Sequence, residues 1–270
     1  MGNLFDTLLV TPIINLLVII YFVLNAVHLP YALGFSIIVL TALMRLILFP
    51  LTAQQLKSSK KMQDLNPHLT ELKERHKGDA KTLQAETMKL YKEHGVNPIA
   101  GCLPLLVQLP FIWALYTVLQ KIVSLPQEST LSYVNNLVYS SFYKLNGVWD
   151  TNFFGVPLGK SPSQLMEGVG FLILLIPLLT GVFQFVQSKM LFPQKPPLKP
   201  GEKKKEDFAS SFQTQSTYIF PIMIGVLSFT FPIGLSLYWN TFTVFGIIQQ
   251  YQIQGWGGLT PWLEKYAKRK

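Results

Sequence analysis

The sequence predicts an all-α integral membrane protein, and three observations carry that reading. Of the 270 residues, 49% are hydrophobic and only 14% are charged, whereas a soluble domain carries about 25% charged residues. Several apolar runs reach the roughly 20 residues that cross a ~30 Å hydrocarbon core as an α-helix. The basic residues concentrate in alternate segments between those runs, the bias that orients helices in a bilayer.

Other classes fit less well. The net charge of +9 invites a nucleic-acid reading, but the charges follow the apolar runs rather than a separate basic face, so no sequence-specific nucleic-acid binding is expected. Cys102 is the single cysteine, which excludes an internal disulfide and a multi-cysteine metal site. His28, His68, His76 and His94 lack HExxH or another tight ligand spacing, so neither a metal nor another cofactor is expected. GVPLGKS, beginning at Gly155, has one residue too few for a phosphate loop and no strand before it.

Residues 1–30 hold the first apolar segment. Pro12 falls in its first turn, where the missing N–H does no harm. No Lys or Arg precedes it and no A-x-A-like site follows, so it does not read as a cleaved signal. Two readings stand from the residues alone: a spanning helix, or a helix in the interface with Asn15, Tyr21 and Asn25 toward headgroups. Length favours spanning, and the lack of flanking positive charge removes an anchor.

Residues 31–53 form the first core span, with Arg45 toward one end. Arginine in such a span costs about 2.5–3.5 kcal/mol on insertion scales. Apart from Glu167 at the edge of the third span, no acidic residue lies inside the spans to pair with it, so a functional polar site is one reading. Snorkelling is an equal alternative, because Thr52 is only about 10 Å further along the helix.

Residues 54–96 change abruptly to helix formers. Leu56, Leu65, Leu69 and Leu72, then Leu83, Met88, Leu90 and Tyr91, give an approximate helical period. Gly78-Asp79 breaks the run, so an antiparallel pair of amphipathic helices is expected. Pro67 kinks or restarts the first helix, and Gly95 suits the position after the end of the second.

Residues 97–121 are the second span, bent by Pro104 and Pro110 with Gln108 between them. Residues 122–164 read as a loop region. Residues 165–191 are the third span, with Pro177 inside. Residues 192–211 are a Pro/Lys-rich linker that cannot pack a core. Residues 212–231 and 233–253 are the fourth and fifth spans, joined tightly around Pro232. Residues 254–270 are a basic tail.

Charge placement sets the orientation. Residues 54–97 hold nine Lys or Arg, the linker five and the tail four, against two in 122–164 and none in 1–30. The positive-inside rule then puts hairpin, linker and tail in the cytoplasm.

GFSIIVLTALMRLILFPLT, then a basic hairpin, then VNPIAGCLPLLVQLPFIWALY, then FPIGLSLYWNTFTVFGIIQQ, resembles the YidC/Oxa/Alb membrane protein insertases. The match covers nearly all of residues 10–253 in order. It lacks the large periplasmic domain of the Gram-negative members. The resemblance implies a five-transmembrane-helix insertase core in a bacterial plasma membrane, with a cytoplasmic helical hairpin and an N-terminal interfacial (alternatively spanning) helix. It also implies a lipid-open hydrophilic groove that carries a positive charge. Arg45 matches that charge, and its partner would be water and then a passing substrate. Thr41, one turn earlier on the same face, Gln108, Trp239 and Asn240 would line the groove with it. Interhelical hydrogen bonding explains Gln108 and Asn240 equally well.

The partners implied are nascent membrane proteins, the lipid bilayer, the ribosome and targeting factors through the hairpin and the tail residues Lys265, Lys268, Arg269 and Lys270, and a Sec translocon. No nucleophile–base set appears, so a chemical step is not expected. A secondary transporter or channel is the rival reading, but transporters commonly show two corresponding halves, and no internal repeat is visible. A membrane enzyme would need paired carboxylates within the spans, and Glu167 and Asp207 sit at edges.

Overall fold

A computed structural model describes residues 4–76, 78–96, 103–124, 126–145, 147, 149–192, 211 and 213–267. The helices are α1 (Thr11–Ala26), α2 (Ala32–Ile47), α3 (Phe49–Asp64), α4 (Asn66–Arg75), α5 (Ala80–Glu93), α6 (Leu103–Ser124), α7 (Gln127–Leu137), α8 (Pro162–Val169), α9 (Leu175–Leu191), α10 (Phe220–Thr230), α11 (Ile233–Gln254) and α12 (Thr260–Ala267). A short hairpin, β1 (Asn152–Phe153) with β2 (Val156–Pro157), pairs antiparallel. The linker expected at 192–211 lies almost wholly outside the described residues, as do residues 97–102 of the second span.

The chain forms two compact units. The first comprises Met1–Ile47, Val107–Gln184 and Pro221–Phe245. Its core is apolar: Ile14 and Leu17 of α1, Leu33, Ile37 and Leu40 of α2, Leu115 and Leu119 of α6, Leu158, and Tyr238 of α11 are all buried. Asn15 and Tyr21, which the interfacial reading turns toward headgroups, make contacts within this unit. The Asn15 amide donates to the Leu137 carbonyl (2.9 Å) and accepts from the Tyr139 N–H (2.7 Å), and the Tyr21 ring stacks on Trp149 at 5.0 Å. A buried amide must find such partners, and here the loop backbone supplies them.

Residues 122–164 are more structured than a loop. α7 follows Pro126, carries Glu128 in its first turn, and buries Val134. The hairpin turn at Phe154-Gly155 has positive φ at both residues (50° and 81°), the geometry that a two-residue turn needs to match strand twist. Phe153 of this hairpin lies against Gly34 of α2, where an added Cβ would collide with the ring. The backbone after β2 is tied to the start of α11, because the Gly234 N–H donates to the Leu158 carbonyl (2.8 Å) and the Ile233 N–H to the Lys160 carbonyl (2.9 Å).

The apolar run at 31–53 is not one helix. It breaks at Leu48, two residues before Pro50, which falls in the first turn of α3. Proline lacks the N–H that would continue the ladder and its ring clashes one turn back, so the break follows from its position. The third span breaks at Gly170 (φ 75°), followed by a 3₁₀ segment at Gly170–Leu174. Pro177 falls in the first turn of α9, where it is tolerated.

By length and composition, Asp6–Ala26 and Pro162–Leu191 can each cross a membrane, and Ala32–Ile47 with Phe49–Asp64 counts as a third if taken as one broken span. Leu109–Ile122 and Gln215–Thr230 are shorter apolar helices.

The second unit comprises Leu48–Leu106, Phe185–Phe220 and Gly246–Lys270. α4 restarts at Asn66 with Pro67 in its first turn. Asp79 caps α5 by accepting from the Thr82 N–H at 3.0 Å. The far end of α5 closes on Gly95 (φ 63°). The Val96 N–H reaches the Tyr91 carbonyl (2.8 Å) and the Gly95 N–H the Lys92 carbonyl (3.1 Å), the paired bonds of a Schellman end. Tyr91 and Val96 are buried with Leu65, so the cap also closes a small apolar cluster.

Candidate functional site

The candidate site is polar residues embedded in the apolar first unit. α2, α9, α10 and α11 each carry a few of them among Leu, Ile and Phe. Arg45 lies in the last turn of α2 and is 5% exposed. Its Nε donates to the Phe242 carbonyl of α11 at 3.0 Å. Its Cζ sits 3.3 Å from the centroid of the Phe242 ring, the flat stacking that a planar guanidinium favours. The partner expected for Arg45 was water and then substrate, but the folded chain also supplies partners of its own, among them the carbonyl and the ring of Phe242.

Thr41 is fully buried one turn before Arg45. Its hydroxyl donates to the Ile37 carbonyl at 2.6 Å, so the proton is used within α2. Trp239 is half-buried and donates its indole N–H to Gln184 Oε1 at 3.1 Å, joining α11 to α9. Asn240 is half-buried, yet its Oδ1 is buried and has no hydrogen-bond partner among the described residues. Thr243, three residues on, is 1% exposed, and its hydroxyl likewise has none. Gln108 falls on α6, and its side chain lies outside the described residues.

Of the five residues read from the sequence, two are thus engaged with neighbouring helices, one with its own helix, and one presents a buried acceptor without a donor among the described residues. Six positions escaped that reading. Phe242 looked like ordinary packing. Gln184 was visible as an amide in an apolar span, but nothing local paired it with Trp239, 55 residues away. Thr180, Ser228 and Ser236 form a buried hydroxyl chain across α9, α10 and α11, with separations of 3.2 and 2.8 Å. Their signal was small polar residues in long apolar helices, the composition typical of helix contacts in membranes. Beside this chain, Gly181 and Gly225 let α9 and α10 approach closely, since a Cβ on Gly225 would lie 3.3 Å from the Pro177 carbonyl. Thr243 is the sixth.

In the second unit, Lys189 of α9 is 9% exposed. Its Nζ lies 5.1 Å from the Trp262 ring and 3.4 Å from the Tyr218 hydroxyl. The nearby Leu191 carbonyl accepts from the Gln63 amide at 2.7 Å. Gly257 and Gly258 pack against the same helix end, where a Cβ would strike the carbonyls of Met190 and Phe192. Thus the hairpin and the C-terminal segment both attach to the end of α9. Among the described residues, no group of three or more His, Cys, Asp or Glu side chains could hold a metal ion.

Comparison with known proteins places this architecture. Residues 22–257 match the model of a family described as 60Kd inner membrane protein. The chain is 34% identical to the membrane protein insertase YidC of Fusobacterium nucleatum subsp. nucleatum over 220 residues, which cover 82% of this chain and 85% of that protein. It is 37% identical to the membrane protein insertase YidC of Oceanobacillus iheyensis over 221 residues, covering 80% and 72% of the two chains. The inner membrane protein ALBINO3 of Arabidopsis thaliana chloroplasts is 30% identical over 91% of this chain and 52% of its own length. A crystal structure of active YidC insertase with its first transmembrane domain resolved superposes with a TM-score of 0.59 at 24% identity. That alignment covers 93% of this chain and 47% of the solved one, and it shows the shared fold. The protein is an all-α, membrane-embedded chain, and it belongs to the 60Kd inner membrane protein family together with the YidC and ALBINO3 proteins.

Proposed function

We propose that this protein inserts newly made membrane proteins into the bilayer and helps them fold, using the polar interior around Arg45 as a hydrated groove open to lipid. The observation that carries this reading is the pair of buried polar groups on α11, Asn240 Oδ1 and the Thr243 hydroxyl, that have no partner among the described residues, in the same unit as a buried guanidinium. Buried polar atoms without partners are costly in an apolar interior. They are tolerated where water or an incoming polar segment satisfies them. The kinship with YidC insertases supports the same activity.

In this reading five spans form the core, the N-terminal helix lies in the outer interface, and the hairpin, linker and tail face the cytoplasm of a bacterial plasma membrane, as the positive-inside rule orders them. A hydrophilic N-terminal segment of the substrate enters the groove, and its acidic residues are drawn to Arg45, whose field is stronger in low dielectric than in water. When the following apolar segment reaches lipid, its transfer drives release, aided by the membrane potential on translocated charge. No covalent step is involved. The hairpin acts as a mobile receptor. With the basic tail, it meets the ribosome or a targeting factor, and a Sec translocon is a further candidate partner.

The test is charge at position 45. Insertion of a substrate with an acidic N-terminal tail into proteoliposomes falls in Arg45→Ala, falls further in Arg45→Glu, and largely survives in Arg45→Lys. Equal insertion by the Glu variant overturns the reading.

A further inference from the structure

We propose that Phe242 is a positioning residue for Arg45, a seat that holds the guanidinium at depth and prevents it from extending toward the cytoplasmic surface. The inference rests on the groove reading above and adds the residue that sets where its charge stands. A lysine or arginine within reach of a membrane surface normally extends to it, keeping its charged head in water. Arg45 is within that reach, since α2 ends only two residues later at Ile47. Yet it is 5% exposed.

Two contacts that hold it come from a single residue on α11. The backbone carbonyl of Phe242 takes the Nε proton at 3.0 Å, which fixes the direction of the side chain. The ring of Phe242 lies 3.3 Å beneath Cζ, which fixes the guanidinium plane. The ring is itself backed by Tyr238, one turn earlier, at 5.9 Å and 35°, and Tyr238 is 2% exposed. The seat therefore has little freedom to tilt. A quadrupole facing a cation attracts it more strongly once water is excluded, so burial strengthens this contact. The two contacts are also separable. Any substitution at 242 keeps the carbonyl, and only an aromatic ring keeps the stacked face.

The experiment follows the depth of the guanidinium directly. Arg75 and Arg269 are the only other arginines, so a full-length chain with both changed to Lys reports on Arg45 alone. In proteoliposomes, a water-soluble dicarbonyl modifies Arg45, and peptide mass spectrometry gives the rate. Phe242→Leu is expected to raise that rate by roughly fivefold or more, and Phe242→Tyr to leave it within about twofold, given the usual strength of a desolvated cation–π contact. Replacing Phe242 with mono-, di- and trifluorophenylalanine preserves ring volume while draining the face of charge, so the rate should climb stepwise through the series. This series also serves if the Leu variant does not fold.

The same variants should narrow the preference for acidic-tailed over neutral-tailed substrates, whereas a merely structural change lowers both alike. A rate flat across the fluorinated series overturns the seat. That outcome leaves the groove reading intact, because the groove reading fails separately, on equal insertion by Arg45→Glu.

Discussion

Trp239 and Gln184 meet across two helices, the indole N–H of one donating to Oε1 of the other at 3.1 Å. The pair ties α11 to α9 inside the first unit, close in sequence to Asn240, Thr243 and Phe242. Two amphipathic groups that each need a partner find one another, and lipid-facing alternatives are thereby excluded.

Removing either partner should therefore cost a modest, shared amount. Gln184→Leu and Trp239→Phe are each expected to lower stability by about 1 kcal/mol, the net worth of a hydrogen bond in a folded chain. The double variant should cost less than the two singles added, because a single interaction is deleted in all three. Thermal midpoints of the detergent-solubilised chain provide the cycle. Strict additivity would show that the pair is not coupled.

The close approach of Gly34 and Phe153 leads to a packing prediction. A side chain at 34 meets the Phe153 ring, which is already in edge contact with Phe35 at 5.4 Å and has little room to turn. Gly34→Val is expected to destabilise by about 1–3 kcal/mol, the usual scale for overpacking. Phe153→Ala in the same chain should recover part of that loss. Folded yield after solubilisation, followed with the thermal midpoint, separates recovery from simple addition of two defects.

A third expectation concerns pH and the hairpin. The Thr82 hydroxyl and then its backbone N–H bond the Asp79 carboxylate and hold its pKa below the ordinary value of 3.8. A carboxyl with a depressed folded value stabilises the native form above its unfolded pKa, and that contribution disappears as pH falls through the folded value. Start of α5 should therefore fray in acid below about pH 4, seen as faster hydrogen exchange at Thr82 relative to Leu90 after correction for intrinsic rates. Asp79→Ala should exchange fast at neutral pH and lose the acid-dependent change.

Much of this chain was legible from local pattern alone. Run lengths set against bilayer thickness identified an all-helical membrane protein, and the order of its motifs pointed to the insertase family. Gly78-Asp79 and Gly95 marked the turn and end of the hairpin helices, since a positive φ and a capping oxygen are properties of single residues. Pro50 and Gly170 were also readable in principle, but hydropathy averages over the very breaks they cause. The helix at Gln127–Leu137 was hidden by its polar composition, because what stabilises it is burial of Val134 and a neighbour from α1.

The site was legible as residues and not as pairs. Arginine in an apolar span stands out in any sequence, and so does an asparagine after a tryptophan. That Arg45 rests on Phe242, 197 positions away, and Trp239 on Gln184 depends on how each helix is rotated about its axis and how closely neighbours approach. Close approach is set by small residues such as Gly181 and Gly225, and rotation by which faces the apolar core claims. Sequence determined which groups this protein must satisfy within a membrane, because transfer energies belong to residues. Tertiary structure alone decided which partners satisfy them, because a hydrogen bond or a stacked cation exists only at a distance and an angle.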